Sequence, residues 1–263
     1  MTPGDAPASK TASRGGALIT GAGQRIGAAL ALALAKQGFS IAVHYRSSRR
    51  GADEVVNAIK ADGGNAAAVK ADLGKTDETA QLIAKAQDAV GPLSLLVNNA
   101  SLFEADEITS FSRESWDAHM GANLYAPVKL SQDFAAEAVS GANNVIVNIV
   151  DQRVLKLTPQ FFSYTLSKTA LWTATQTMAQ ALGPQGIRVN AVAPGPVLKN
   201  PRQSDDDWRR QNEATVLGRG ARPEGVVDAV SYLIDAHAVT GQLMLVDGGQ
   251  HLAWQTPDVM VNE

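Results

Sequence analysis

Short apolar runs alternate with longer stretches patterned at helical spacing along most of the chain. The runs are ALIT (17 to 20), SIAVHY (40 to 45), AAAVKAD (66 to 72), LSLLVNNA (93 to 100), NVIVNIV (144 to 150), IRVNAVAPG (187 to 195) and QLMLVDGG (242 to 249). Helix-patterned segments lie near 25 to 37, 51 to 61, 76 to 90, 112 to 139, 161 to 182 and 223 to 236. This alternation predicts an α/β fold, a doubly wound parallel sheet of about seven strands with helices on both faces. LSLLV, NVIVNIV and QLMLV are almost continuously apolar, as strands covered on both faces should be. In such sheets ligands lie beyond the carboxyl ends of the strands, so Thr20, Tyr45, Asp72, Asn98, Asp151 and Pro194 are expected around one crevice.

No Pro/Gly/Ser-rich linker interrupts the patterned region, which predicts a single domain over 16–252 of the 263 residues. Residues 1–15 are small and polar and lack the apolar core of a secretory signal; they read as a disordered leader on a cytoplasmic protein, and 253–263 as a C-terminal tail. A formal charge of -3 offers no basic field for a nucleic acid, and no apolar run reaches the length of a membrane span. With no cysteine, disulfides, thiolate catalysis and Cys-ligated zinc are excluded, and His44, His119, His237 and His251 are too scattered for a spaced metal motif. No metal is expected.

The first strand runs into TGAGQRIG and an Ala/Leu-rich helix, where Gly21, Gly23 and Gly27 let the backbone approach a pyrophosphate at the helix N-terminus. Arg25 and Ile26 belong to the same expected cofactor turn. Arg25 stands where a third glycine is common, and its guanidinium would reach the diphosphate or a polar substrate edge. An NAD site would end the second strand on Asp or Glu, but this chain reads His44-Tyr45-Arg46-Ser47-Ser48. Arg46 with the two hydroxyls supplies cationic and neutral donors to a 2′-phosphate, so NADPH is the expected cofactor. Asp72-Leu73 either accepts from the adenine amine or caps the following helix.

Tyr164 and Lys168, in FFSYTLSKTALW, stand four apart and share one helix face. A free tyrosine has a pKa of about 10, and a nearby fixed cation favours the phenolate, which is expected to bring this phenol toward the range useful for proton transfer.

Gly21 to Gly27, Asn98-Asn99-Ala100, Asn123, Tyr164 with Lys168 and Pro194-Gly195 stand in the order and spacing of the short-chain dehydrogenase/reductase family, which the chain resembles over roughly residues 16 to 252. The resemblance implies a Rossmann-type fold and a homotetramer. It implies that Tyr164 exchanges a proton with the substrate, Lys168 binds the nicotinamide ribose and Asn123 holds a relay water. Asn99, Ala100, Ser101, Pro194 and Gly195 complete the implied cofactor site. Most members carry a serine about thirteen residues before the tyrosine, and here that position is Asp151. A carboxylate accepts from amine and ring N–H donors, or delivers a proton when its pKa is raised.

The same substitution occurs in pteridine reductases, which the chain also resembles in Arg25 within GQRIG, in the HYRSS turn, and in NNASLF with Ser101 and Phe103. That resemblance implies reduction of a pterin C=N bond. Phe103 would stack on the pterin face opposite the nicotinamide, Ser101 would contact the ligand or cofactor phosphate, and Asp151 with Tyr164 would handle protons. Plainer roles stay open: Phe103 as core, Ser101 as a turn cap, Arg25 as a surface cation, Asp151 paired with Arg153. So does a carbonyl reductase or alcohol dehydrogenase with the same cofactor. A nucleotide-binding scaffold without turnover is disfavoured, because it needs no Asn123, Tyr164 and Lys168 relay. The polar stretch LKNPRQSDDDWRRQNEATVLGRG lacks periodicity at its start and reads as a substrate lid near 196–220.

Overall fold

The structure, a computed structural model, describes residues 13–254. The expected leader up to position 12 and the tail from 255 onward lie outside the described residues. Residues 14 and 15 belong to the domain: Arg14 N–H donates to Gly38 O, its carbonyl accepts from the Ser94 hydroxyl at 2.7 Å, and its guanidinium pairs with Asp235.

Seven strands form one sheet in the order β3-β2-β1-β4-β5-β6-β7, every neighbouring pair parallel. They are β1 Gly16–Ile19, β2 Ser40–Tyr45, β3 Ala66–Lys70, β4 Leu93–Asn98, β5 Asn144–Ile149, β6 Ile187–Pro194 and β7 Leu243–Val246. The order reverses between β1 and β4, and a crevice opens at their carboxyl ends. Successive residues of a strand point to opposite faces, and both sets are apolar here. Ile19, Val97 and Val147 pack under α1 (Arg25–Lys36), α2 (Arg49–Ala61) and α9 (Pro223–Asp235) through Leu30, Leu34, Ile59, Val226 and Val230. Leu18, Leu96 and Ile146 face the other way, against Leu82 and Ile83 of α4 (Leu82–Val90), Leu130 and Phe134 of α6 (Ala126–Ala136) and Ala179 of α7 (Phe162–Leu182).

Three segments depart from the periodicity. The stretch from 76 to 90 is divided at Gln81 into α3 (Thr76–Ala80) and α4. The stretch from 112 to 139 is α5 (Arg113–Met120), a π-helical turn Gly121–Tyr125, then α6. The wide turn inserts a residue into the helix, as such bulges do at functional sites, and buried Asn123 sits inside it. The polar stretch after β6 contains α8 (Asp205–Glu213), N-capped by Ser204 Oγ on the Asp207 N–H, with three aspartates in its first turn. That helix has no buried residue, so it carries no apolar stripe for a sequence pattern to reveal. Among the described residues no helix is long and apolar enough to cross a membrane.

Candidate active site

The crevice holds a cavity of about 670 Å³ that extends from the Arg46-Ser47-Ser48 turn to Arg202 and Trp208. At its cofactor end Gly21 adopts a left-handed φ of +64°, and a Cβ on Gly27 would lie 2.3 Å from Gly21 O. Only glycine fits the second position. Gly21 N–H donates to His44 Nδ1 at 2.9 Å, so the other ring nitrogen carries the hydrogen and donates to Ala71 O at 3.1 Å. Burial lowers the His44 pKa to about 4, against the opposing pull of Ala71 O and Asp72. His44 is thus a neutral brace for the glycine turn, with both nitrogens spent on protein. Asn99 N–H and Ala100 N–H donate to Thr20 Oγ1, and the Asn99 amide donates to Thr20 O, which locks the ends of β1 and β4 together.

Arg46 and Ser47 are exposed where β2 ends. Arg49 is paired with Asp53 and Arg50 with Glu54, whereas Arg46 has no carboxylate partner among the described residues. Of these three neighbouring cations, it is the one whose charge no protein carboxylate offsets. Asp72 Oδ1 accepts from Gly74 N–H at 3.0 Å, and Lys75, not Asp72, stands at the N-cap of α3. Asp72 therefore holds a turn at the cavity wall and does not cap the helix. Arg25, at φ +53°, donates to Leu198 O and Lys199 O at 3.0 and 3.1 Å, so its guanidinium fastens the segment after β6. Ile26, Tyr45, Leu73, Pro194 and Gly195 line the same cavity.

At the substrate end α7 carries Tyr164 and Lys168 inward, 5 % and 2 % exposed. The Tyr164 hydroxyl donates to Asp151 Oδ2 at 2.8 Å, and Lys168 Nζ donates to Ile149 O at 2.8 Å. The phenolate expectation fails here. Burial first and the Asp151 charge second push the phenol well above its usual range, and the lysine is directed at a backbone carbonyl, 6.0 Å from the centre of the tyrosine ring. Burial likewise raises the Asp151 carboxyl, only partly offset by hydrogen bonds from Arg153 N–H and Tyr164. Lys168 is lowered to about 8 by burial, with Asp151 opposing. The Arg153 guanidinium goes to the Thr158 hydroxyl at 2.7 Å, so Asp151 is bonded to the Arg153 backbone and not to its side chain. Asn123 is held by Leu102 N–H and O at 2.8 and 2.9 Å and by the Ser167 hydroxyl, and it accepts from Ser101 Oγ at 3.3 Å.

Phe103 meets Tyr164 edge-on at 4.7 Å between ring centres, and Phe161 lies parallel on it at 4.2 Å. Phe161 escaped the sequence reading: it stands three residues before Tyr164, at the left-handed N-cap of α7 and outside the helix, where helical spacing does not place its ring. Arg202 also escaped it. That side chain donates to Phe103 O and to the Glu104 carboxylate, both at 2.7 Å, a contact across 98 residues that no local pattern signals.

Residues 21–251 match the model of the family described as enoyl-(acyl carrier protein) reductase. FolM alternative dihydrofolate reductase 1 from Brucella canis, solved with NADP, shares 44% identity over 96% of this chain and 100% of its own, with a TM-score of 0.91. An uncharacterised oxidoreductase of Methylorubrum extorquens is 35% identical over 89% of this chain and 96% of its own length. The 3-oxoacyl-(acyl-carrier-protein) reductase FabG of Staphylococcus epidermidis is 30% identical over 90% and 98% respectively. A seven-stranded parallel sheet, a glycine turn at its first strand and a buried Tyr164–Lys168 pair agree with these matches: the chain belongs to the short-chain dehydrogenase/reductase family.

Proposed function

We propose that this protein is an NADPH-dependent reductase of a pterin or a similar flat N-heterocycle, acting on a C=N bond. The observation that carries the reading is the 2.8 Å hydrogen bond from Tyr164 to Asp151, a carboxyl at the place where a hydroxyl would serve a ketone. The likeness to a FolM dihydrofolate reductase supports it. The residues at the cofactor end fit NADPH: a glycine turn that no Cβ could enter, and Arg46 with Ser47 at the ribose end, unopposed by an acid. Gly21, Gly23 and Gly27 would take the pyrophosphate, and Arg46, Ser47 and Ser48 the 2′-phosphate.

NADPH supplies the hydride. The chain supplies the proton and the geometry. Tyr164 holds its hydrogen firmly at neutral pH and is therefore a donor in the reductive direction. Asp151, with its raised pKa, is the group behind it that can carry a replacement proton. Lys168, held at Ile149 O, would orient the ribose, and Asn123 holds the start of the Ser101-Leu102-Phe103 wall. Phe103 offers a ring face or edge to a flat substrate. A carbonyl reductase is the second reading, favoured by the identity with FabG and by a protonated phenol that would serve a ketone equally.

One assay tests substrate and cofactor together: NADPH consumption over dihydropterins, biopterin, folates and simple ketones, repeated with NADH and with Arg46→Ala. The expected result is dihydropterin turnover with an NADPH preference that Arg46→Ala largely abolishes. Efficient turnover of ketones with every pterin ignored would install the second reading, and an unchanged preference in Arg46→Ala would remove Arg46 from the phosphate site.

The reading includes a homotetramer. Tyr125, Val128 and Leu166 are apolar and exposed on the segment from the π-helical turn into α6 and on α7, where closely approaching helices of other subunits would cover them. Light scattering at micromolar concentration is expected to give four times the mass of the chain, and a monomer would rule this out.

A further inference from the structure

Asp106, His119 and Ser163 form a buried polar cluster beside Tyr164 that the proton path leaves unused. Ser163 Oγ lies within hydrogen-bond reach of Asp106 Oδ2 and, at 2.7 Å, of His119 Nδ1. Asp106 also accepts from Ser163 N–H at 3.0 Å and from the Ser115 hydroxyl at 2.8 Å, and its carbonyl accepts from Phe162 N–H at 3.1 Å. On the other side of the imidazole, Glu104 N–H donates to His119 Nε2 at 3.2 Å.

These contacts fix the tautomer. A backbone N–H can only donate, so Nε2 is bare and Nδ1 carries the hydrogen, which goes to Ser163 Oγ; the serine's own hydrogen goes to the Asp106 carboxylate. The chain of donors is complete only while His119 is neutral. A proton on Nε2 would set two donors against each other at Glu104.

Three pieces of the substrate site meet in this cluster. Glu104 follows Phe103, Ser163 precedes Tyr164, and His119 lies on α5 just before the turn that carries Asn123. The N-terminus of α7 needs outside help, because Phe161 at its N-cap is left-handed (φ 56°) and makes no side-chain cap. Asp106 supplies the missing acceptors from a distant loop and places a negative charge at the positive end of the helix.

We propose that the Asp106–Ser163–His119 cluster positions the Phe103 wall against Tyr164, so that a neutral His119 is required for substrate binding and not for cofactor binding. The proposal takes its substrate from the pterin reading of the same site. The charged and titratable groups facing His119 are Asp106 and Glu104 from the loop after β4 and Tyr164 from α7, whose ring centre is 6.2 Å away; the Glu104 carboxylate is already paired with Arg202. Burial holds the imidazole below its usual range, with Asp106, the Ser115 backbone and Glu104 pulling the other way. The switch therefore falls on the acid side of neutrality.

The test compares wild type, His119→Gln and Ser163→Ala with NADPH and dihydrobiopterin from about pH 7 to about pH 5. Amide hydrogen exchange at Glu104 is followed over the same range. In the wild type, KM for dihydrobiopterin is expected to rise roughly fivefold as pH falls, the effect of one lost buried hydrogen bond, while the NADPH Kd stays constant. Protection of the Glu104 amide falls in parallel. His119→Gln keeps an acceptor for Glu104 N–H without a titrating ring and is expected to flatten both profiles, whereas Ser163→Ala raises KM at every pH. A KM profile and Glu104 protection identical in wild type and His119→Gln would overturn the proposal, as would equal losses in NADPH affinity. If no dihydropterin is turned over, the substrate reading falls, and the Glu104 exchange profile still decides the role of the cluster.

Discussion

Tyr164→Phe is expected to lower turnover by roughly a hundredfold to ten-thousandfold, the range for removing a positioned proton donor. NADPH affinity should stay nearly intact, because the hydroxyl spends its hydrogen bond on Asp151 and Lys168 keeps its own tie to Ile149 O. The variant also leaves a buried carboxyl without one of its two donors, so Asp151 should rise further in pKa. Steady-state rates with the preferred substrate, beside NADPH titrations followed by fluorescence, separate the two effects. Near wild-type turnover would show that another group delivers the proton.

For Asp151→Ser the expected result is a loss of about five- to hundredfold in dihydropterin reduction, with activity on small ketones spared or improved. A serine restores the hydroxyl that suits a carbonyl oxygen and removes the group that reloads Tyr164. In the wild type, turnover should fall as pH rises through the raised Asp151 pKa, since the proton-loaded form of the pair is then lost. In Asp151→Ser that limb should vanish. The sign for stability follows by linkage. A carboxyl whose folded pKa exceeds its unfolded value favours the fold fully below the unfolded pKa, and this contribution is lost as pH rises through the folded one. At neutral pH, well above the unfolded pKa, the raised folded pKa thus opposes folding, and Asp151→Ser should melt higher than wild type there, with the gap closing in acid. A lower neutral melting temperature would contradict the assignment of burial as the dominant cause.

The sheet was legible because both of its faces are covered, so β4 and β5 appear as unbroken apolar runs. Gly21, Gly27, Tyr164 and Lys168 were legible because fixed local spacing is what their geometry requires. What escaped depends on contacts between distant residues. The direction of the Tyr164 shift turns first on burial and then on Asp151 lying at its hydroxyl, while Lys168 is turned to Ile149 O, and spacing on one helix reveals none of these. Asp106 capping α7 spans 57 residues, and α8 is held by caps and charge without an apolar stripe. His44 lines the cofactor end of the cavity, and the hydrogen bonds of its ring to Gly21 and Ala71, 23 and 27 residues away, are equally beyond a local pattern.

The segment between β6 and α8 is fastened largely through main-chain atoms: Arg25 reaches Leu198 O and Lys199 O, and Arg202 reaches Phe103 O. Every residue has a carbonyl, so these fastenings survive almost any exchange of the side chains at 198 and 199. Asn200, Gln203 and Gln211, which also line the cavity, are tied to one another and to the Arg202 N–H by their side chains, so exchanges there loosen the segment where exchanges at 198 and 199 do not.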